Sequence, residues 1–217
     1  MAKYYKFDSG LTLLYENNKI NKSTSIDIIF DCGARCDDKL AGLSHFCEHM
    51  FFTGTDKLSK QEVTKRYFDF IKTNAYTSYT DIMFTGNVMT NRLQEYLMAV
   101  QDMVCNSTFT KQAIEEEKKI VIQEIVRDAD QHARHAGRFR AYELYGLCYF
   151  NQGILGNKES VEQIKSKDVK NYVKKYFVKN NCTISICSPL SFNKVKSIVK
   201  KYFDNTMPSN TFHLIKT

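Results

Sequence analysis

The stretch Gly42-Leu43-Ser44-His45-Phe46-Cys47-Glu48-His49-Met50 decides the reading of this chain. On a helix, His45 and His49 stand four residues apart and project one turn apart from one face, where both imidazoles can reach a single ion. Glu48 lies beside them and can act on a water held by that ion. The flanking residues Leu43, Phe46, Cys47, Met50, Phe51 and Phe52 are apolar or small, so the helix is expected to be largely buried. Two histidines and a glutamate brought into an apolar interior need partners, because unpaired buried polar groups are costly. A metal ion supplies them.

The spacing H-x-x-E-H is the inverted zincin order. A catalytic zinc takes three protein ligands and a water, and spacing alone leaves the third open among Glu62, Glu95, Glu117, Glu124 and Glu143. A structural zinc site is disfavoured, since such sites close with four Cys or His ligands. Cys47 is expected to pack on the other face of the motif helix. His132 and His135, flanked by Asp128, Asp130 and Arg134, read as solvated helix rather than a second metal pair.

Composition sets outer bounds. The 217 residues suit one domain with a sizeable core, and 43% hydrophobic with 13% aromatic content is that of a globular protein. No run approaches the roughly 20 apolar residues of a membrane span, and residues 1–7 lack the apolar core of a signal peptide. Seven scattered cysteines without a C-x-x-C pair favour free thiols in a reducing compartment, so a cytoplasmic location is expected. The net charge of +7 is assigned to solvated lysine-rich helix faces such as Lys165–Lys179, and no nucleic-acid or membrane partner is expected.

The pattern along the chain gives strands at 11–16, 24–31, 74–79, 82–89 and 181–187. Helices are expected at 40–52, 60–70, 92–104, from 111 to beyond 127, in one or two pieces over 160–177, and at 191–203. Ser59 and Glu62 form a capping box, Thr110 opens the longest helix, and 128–153 reads as helix broken at Gly137 and Gly146. The tail after about 204 is polar and expected to fray. These elements imply an α+β fold with a mainly antiparallel β-sheet covered by helices on one side.

In this order the segments resemble the M16, or pitrilysin-like, zinc metallopeptidases over nearly the whole chain. The quoted matches are Asp8–Asn18, Cys32–Thr55, N-A-Y-T-S (Asn74–Ser78), E-K-K-I-V-I-Q-E-I (Glu117–Ile125), and the segments from Gly153 to Cys187. The resemblance implies residues 1–217 as one metal-bearing domain with one Zn2+ per chain, held by His45, His49 and Glu124. It implies that Glu117 supports the metal site without binding it, and that Glu48 activates the water in a zinc-dependent endopeptidase. Asn74, Ala75, Tyr76, Thr77 and Ser78 would form the strand on which an extended peptide substrate pairs.

Two departures stand out. The strand after Ser78 continues Tyr79-Thr80-Asp81-Ile82, without the usual Glu and Thr. The Arg and Tyr that the family brings from an opposite wall have no counterpart here. A partner is therefore expected, either a second copy or a homologous subunit, unless the chain is a piece of a longer protein. The alternative is a peptide-binding or scaffold subunit without catalysis, which commonly lacks motif residues that here are all present.

Overall fold

The computed structural model describes residues 2–130, 136–137, 139–140, 143–144, 146 and 153–210. Six strands form one sheet in the order β1-β2-β6-β3-β5-β4: β1 Lys3–Lys6, β2 Thr12–Asn17, β3 Ser23–Phe30, β4 Lys72–Thr77, β5 Ile82–Met89 and β6 Cys182–Ser188. Only β2 and β6 pair in parallel; the other pairings are antiparallel. The described α-helices are α1 Leu43–Met50, α2 Lys60–Phe68, α3 Leu93–Asn106, α4 Lys111–Ala129, α5 Lys158–Gln163, α6 Ser166–Tyr176 and α7 Phe192–Val199. The α+β expectation holds.

Period-two alternation explains the single layer of helices. Ile26, Ile28 and Phe30 of β3, Ile82, Phe84 and Val88 of β5, and Ile184 and Ile186 of β6 are buried. The residues between them, among them Asp27, Thr85, Asn87, Thr183 and Ser185, face the other side and are only partly covered. Helix α1 lies on the apolar face. Its Phe46, Cys47 and Met50 are fully buried, and Phe51 packs at 4.7 Å from Phe177 and 5.7 Å from Phe84 between ring centroids. Cys47 is thus a core residue, as expected from its place on the helix.

Helix α1 begins at Leu43 rather than Leu40. Gly42 adopts φ +87°, which a right-handed helix cannot continue through. Asp37 organises this entry: its carboxylate accepts the N–H groups of Gly42 and Ser44, both at 2.7 Å. Burial pushes the Asp37 pKa up to about 7 against those hydrogen bonds. Here the chain also crosses itself closely. A Cβ on Gly42 would lie 2.3 Å from the Leu155 carbonyl oxygen, and one on Gly156 (φ +71°) 2.1 Å from that of Ala41.

Other differences are local. Strand β1 was not expected; its K-Y-Y-K run is too short to show a period. The last helix ends at Val199 and continues as a π-turn over Lys200–Asp204. The helix expected over 92–104 runs from Leu93 to Asn106 and is preceded by a 3-10 turn over Thr90–Arg92. The region expected as a broken helix falls mostly outside the described residues, as do His132, His135 and the tail after Asn210.

Gly156→Ala should lower unfolding stability by about 2 kcal/mol or more, since it combines positive φ with a backbone clash. Denaturant titration checks this, and a midpoint equal to that of the parent chain would contradict the close crossing.

Candidate metal centre

Helix α4 lies against α1 and brings two glutamates to the histidine face. Thr110 caps it by accepting the Ala113 N–H at 3.2 Å, and Glu117 and Glu124, seven residues apart, fall on one face. Glu124 Oε2 lies 3.4 Å from His49 Nε2 and 3.8 Å from His45 Nε2. One ligand atom from each of His45, His49 and Glu124 falls within 4.8 Å of the others. Bonds of about 2.0–2.1 Å to a tetrahedral ion place ligand atoms roughly 3.3–3.4 Å apart, so the spacing and the N, N, O donor set fit zinc. Of the other candidates, Glu62 is occupied in the capping box and Glu95 pairs with Arg92. Glu143 is exposed and outside the cluster.

Glu117 plays a different part. Its Oε1 lies 2.9 Å from His49 Nδ1, a contact in which Nδ1–H donates to the carboxylate and Nε2 is turned toward Glu124. Its Oε2 accepts from Lys60 Nζ at 2.9 Å. Glu48 is buried and accepts a hydrogen bond from Thr77 Oγ1 at 2.6 Å. The roles of Lys60 and Thr77 were not legible in sequence, because each depends on which strand or helix end approaches the cluster.

Without an ion the site redistributes protons. Burial and the neighbouring His49 lower His45 to about 4. Burial also opposes charge on His49, but hydrogen bonds to Glu117 and Glu124 outweigh it and raise the pKa to about 9. Burial raises the Glu48 carboxyl, opposed by the Thr77 hydrogen bond. Glu124 is lowered by its hydrogen bond to His49.

Strand β4 is an edge strand. The Ser78 N–H donates to the Asp81 carbonyl at 2.8 Å, and Thr77 pairs opposite Ile82. In an antiparallel ladder this makes Tyr76 and Asn74 the inward-bonded positions and turns the N–H and C=O of Thr73, Ala75 and Thr77 toward the free edge. Tyr67 supports the assignment, since its hydroxyl reaches both the Asn74 and Thr85 carbonyls, at 2.8 and 3.4 Å. Beside this edge a cavity of about 590 Å³ is lined by His45, Glu48, Ala75, Tyr76, Thr77 and Asp128, among others. Ser78 lies beyond the strand, in the turn to β5.

The sequence profile of the insulinase family (peptidase family M16) matches residues 12–146. The chain belongs to peptidase family M16. It is 29% identical over 205 residues, 92% of this chain and 49% of the relative, to a Bacillus subtilis protein named uncharacterized zinc protease YmxG. It is 27% identical over 95% of its length to a probable mitochondrial-processing peptidase subunit beta of Arabidopsis thaliana, of which it covers 40%. Among solved structures, the periplasmic protease PqqL of Escherichia coli superposes with a TM-score of 0.88 at 18% identity, over 100% of this chain and 25% of that one. Pitrilysin does so with a TM-score of 0.83 at 16% identity, over 99% and 24%. These likenesses support the M16 fold. The chain spans about half or less of the length of the curated relatives it matches. No helix among the described residues is long and apolar enough to cross a membrane, and the six described cysteines are free.

His49 sets a pH signature for the metal-free chain. Its folded pKa of about 9 lies above the unfolded value of about 6.5, so the folded state holds the extra proton between them. Its contribution to stability is full below about pH 6.5 and lost as pH rises through about 9. Denaturant unfolding in chelator across this range should show the decline, and His49→Gln should flatten it. An equal slope in that variant would contradict the pairing with Glu117 and Glu124.

Proposed function

We propose that this chain is the metal-bearing domain, residues 1–217, of a zinc-dependent endopeptidase acting on extended peptides or small unstructured proteins. The observation that carries the reading is the convergence of His45 Nε2, His49 Nε2 and Glu124 Oε2, with the buried Glu48 on the same helix, beside a free strand edge. The relatives named as zinc proteases support the metal.

Zinc bound there would lower the pKa of a coordinated water to about 7 and polarise the scissile carbonyl. Glu48 accepts the proton of the attacking water and delivers it to the leaving amine. Thr77 holds the Glu48 carboxylate from the strand side, which ties the base to the element that receives substrate. The outward N–H and C=O groups of Thr73, Ala75 and Thr77 pair with a peptide backbone as an added strand. That mode orders the substrate with little demand on its sequence. The Asn74 and Tyr76 side chains lie on the sheet face away from α1 and flank the added strand, and Ser78 marks its end.

The spans matched in the curated relatives leave half or more of their length uncovered. We therefore place an opposing wall outside residues 1–217, supplied by a second copy, a homologous subunit or further chain. The relatives described as subunits of a processing peptidase favour a homologous partner. The competing reading, a scaffold subunit, is weaker because the cluster His45, Glu48, His49 and Glu124 is complete.

Elemental analysis should find about one zinc per chain, and His49→Ala or Glu124→Ala should lose it. Full zinc occupancy in Glu124→Ala would overturn the ligand assignment. Glu48→Gln should retain zinc and fold while peptide cleavage falls on the order of 10² to 10⁴; near-normal hydrolysis would remove Glu48 from this role. Cleavage should also depend on association, read by sedimentation together with an assay with and without an added homologous subunit. A strictly monomeric 217-residue chain turning over at about 1 to 10³ per second would overturn the need for a second wall.

A further inference from the structure

We propose that Lys60 is a positioning residue for the metal centre, acting through Glu117 on His49. The proposal rests on the zinc reading above, but its geometry is independent of any ion. Glu117 is 5% exposed, and a buried carboxylate needs partners for both oxygens. One oxygen takes the His49 Nδ1 contact and the other takes Lys60 Nζ, each at 2.9 Å. With a partner on each oxygen the carboxylate plane cannot turn about its last torsion, and the imidazole bonded to it keeps its orientation.

Three helices meet at this carboxylate: α4 supplies Glu117, α1 supplies His49 and α2 supplies Lys60. Lys60 is the first residue of α2, and its backbone is fixed from both sides. Before it, the chain folds tightly, with Gly54 bridged to Ser59 and the Thr55 N–H donating to the Leu58 carbonyl at 2.9 Å. After it, the Glu62 carboxylate accepts the Ser59 N–H at 2.8 Å and closes the capping box. The strap that leaves the motif helix thus returns a lysine to the group that orients the helix's second histidine.

A plain surface ion pair is the competing explanation, since the Lys60 side chain is 42% exposed. The two explanations differ in what they disturb. A surface pair contributes little to stability and nothing to a metal site. A positioning residue changes how the histidine meets the ion, beyond whatever stability is lost when a buried oxygen of Glu117 loses its partner. Loss of a group that directly supports a ligand typically weakens metal binding about 10- to 100-fold. Lys60 stands one step further out and is partly solvated, so a smaller change is expected.

The experiment compares Lys60→Met, Lys60→Arg, Glu117→Ala and the double variant by zinc competition against a chelator and by the visible spectrum of the cobalt-substituted chain. Lys60→Met should release zinc about 3- to 10-fold more readily and shift the cobalt bands, in a chain that remains folded. Lys60→Arg should restore both within about 2-fold, because the charge and a donor are kept. The difference between parent and Lys60→Met should shrink in about 1 M salt. In the Glu117→Ala background Lys60→Met should have no further effect. Equal zinc retention and an unshifted cobalt spectrum in Lys60→Met would overturn the proposal, as would an undiminished effect in the Glu117→Ala background. A parent chain that takes up neither metal would sink the zinc reading instead. The proposal would then be read from the Nδ1–H proton resonance of His49 in the metal-free chain. Lys60→Met should broaden that resonance, and an unchanged line would overturn it.

Discussion

The contact between α1 and α4 places His45, Glu48, His49, Glu117 and Glu124 side by side in a partly water-excluded seam, and the cost of desolvating them is the constraint on the rest of the site. Each carboxylate has a compensating neighbour, and His45 joins the convergent cluster through Nε2 while its buried Nδ1 has no hydrogen-bond partner among the described residues. Glu117 joins His49 and Lys60, Glu48 takes the Thr77 hydroxyl, and Glu124 faces both Nε2 atoms. The seam can exist because the other side of α1 is firmly held. Phe46, Cys47, Met50 and Phe51 are fully buried, and the N-terminus is tied by Asp37. Apolar burial supplies the free energy, and the polar face is positioned as a consequence.

The two sheet edges are treated differently. At one end β1 carries Lys3 and Lys6, both exposed, and charged residues on an edge strand discourage pairing with another chain. At the other end β4 carries the uncharged run Thr73-Asn74-Ala75-Tyr76-Thr77 beside the cavity. Tyr67 and Tyr96, fully buried beneath it, keep the hairpin rigid. Among the described residues no strand pairs with the outer edge of β4, the arrangement that strand addition of a peptide would require. The register also has a chemical consequence. Thr77 turns its side chain to Glu48 and its main chain outward, so a peptide paired there and the proposed base would be referenced to one residue.

The sequence carried α1 and its chemistry clearly because a 3.6-residue period, apolar flanks and two histidines at four-residue spacing all bear on eight residues. The strands of the central sheet were legible for a similar reason, since Ile26, Ile28 and Phe30 alternate with polar neighbours. Position Glu124 was not legible from spacing alone. Nothing in a long, acidic, evenly charged helix marks one glutamate over another until its neighbour helix is known, and only the resemblance selected it. Lys60 looked like one more lysine among many at a capping box. Its contact with Glu117 depends on the turn at Gly54–Ser59 and on the approach of α4, a tertiary fact that the lysine's own surroundings in sequence do not signal. The start of α1 was misjudged by three residues because Gly42 was read as helix; its positive φ follows from the crossing with Gly156, 114 residues away in the chain by their numbering.

Charge balance connects these pieces. Glu48, Glu117 and Glu124 bring three negative charges when ionised, and Lys60 returns one positive charge. Arg127 lies 4.0 Å from Glu124 but is 70% exposed, so solvent screens it. The seam therefore carries more carboxylates than cationic side chains, a balance that favours a cation. Against burial, hydrogen bonds to Glu117 and Glu124 raise His49 to about 9, while burial raises the Glu48 carboxyl. Protons and a divalent cation would compete for the same side chains, so metal binding there must release protons. His45 is the exception, lowered to about 4 by burial and, after it, by the charge on its neighbour His49. A neutral imidazole with an available Nε2 lone pair is the form a metal ion needs, so the arrangement that disfavours a second proton is also the one that favours coordination.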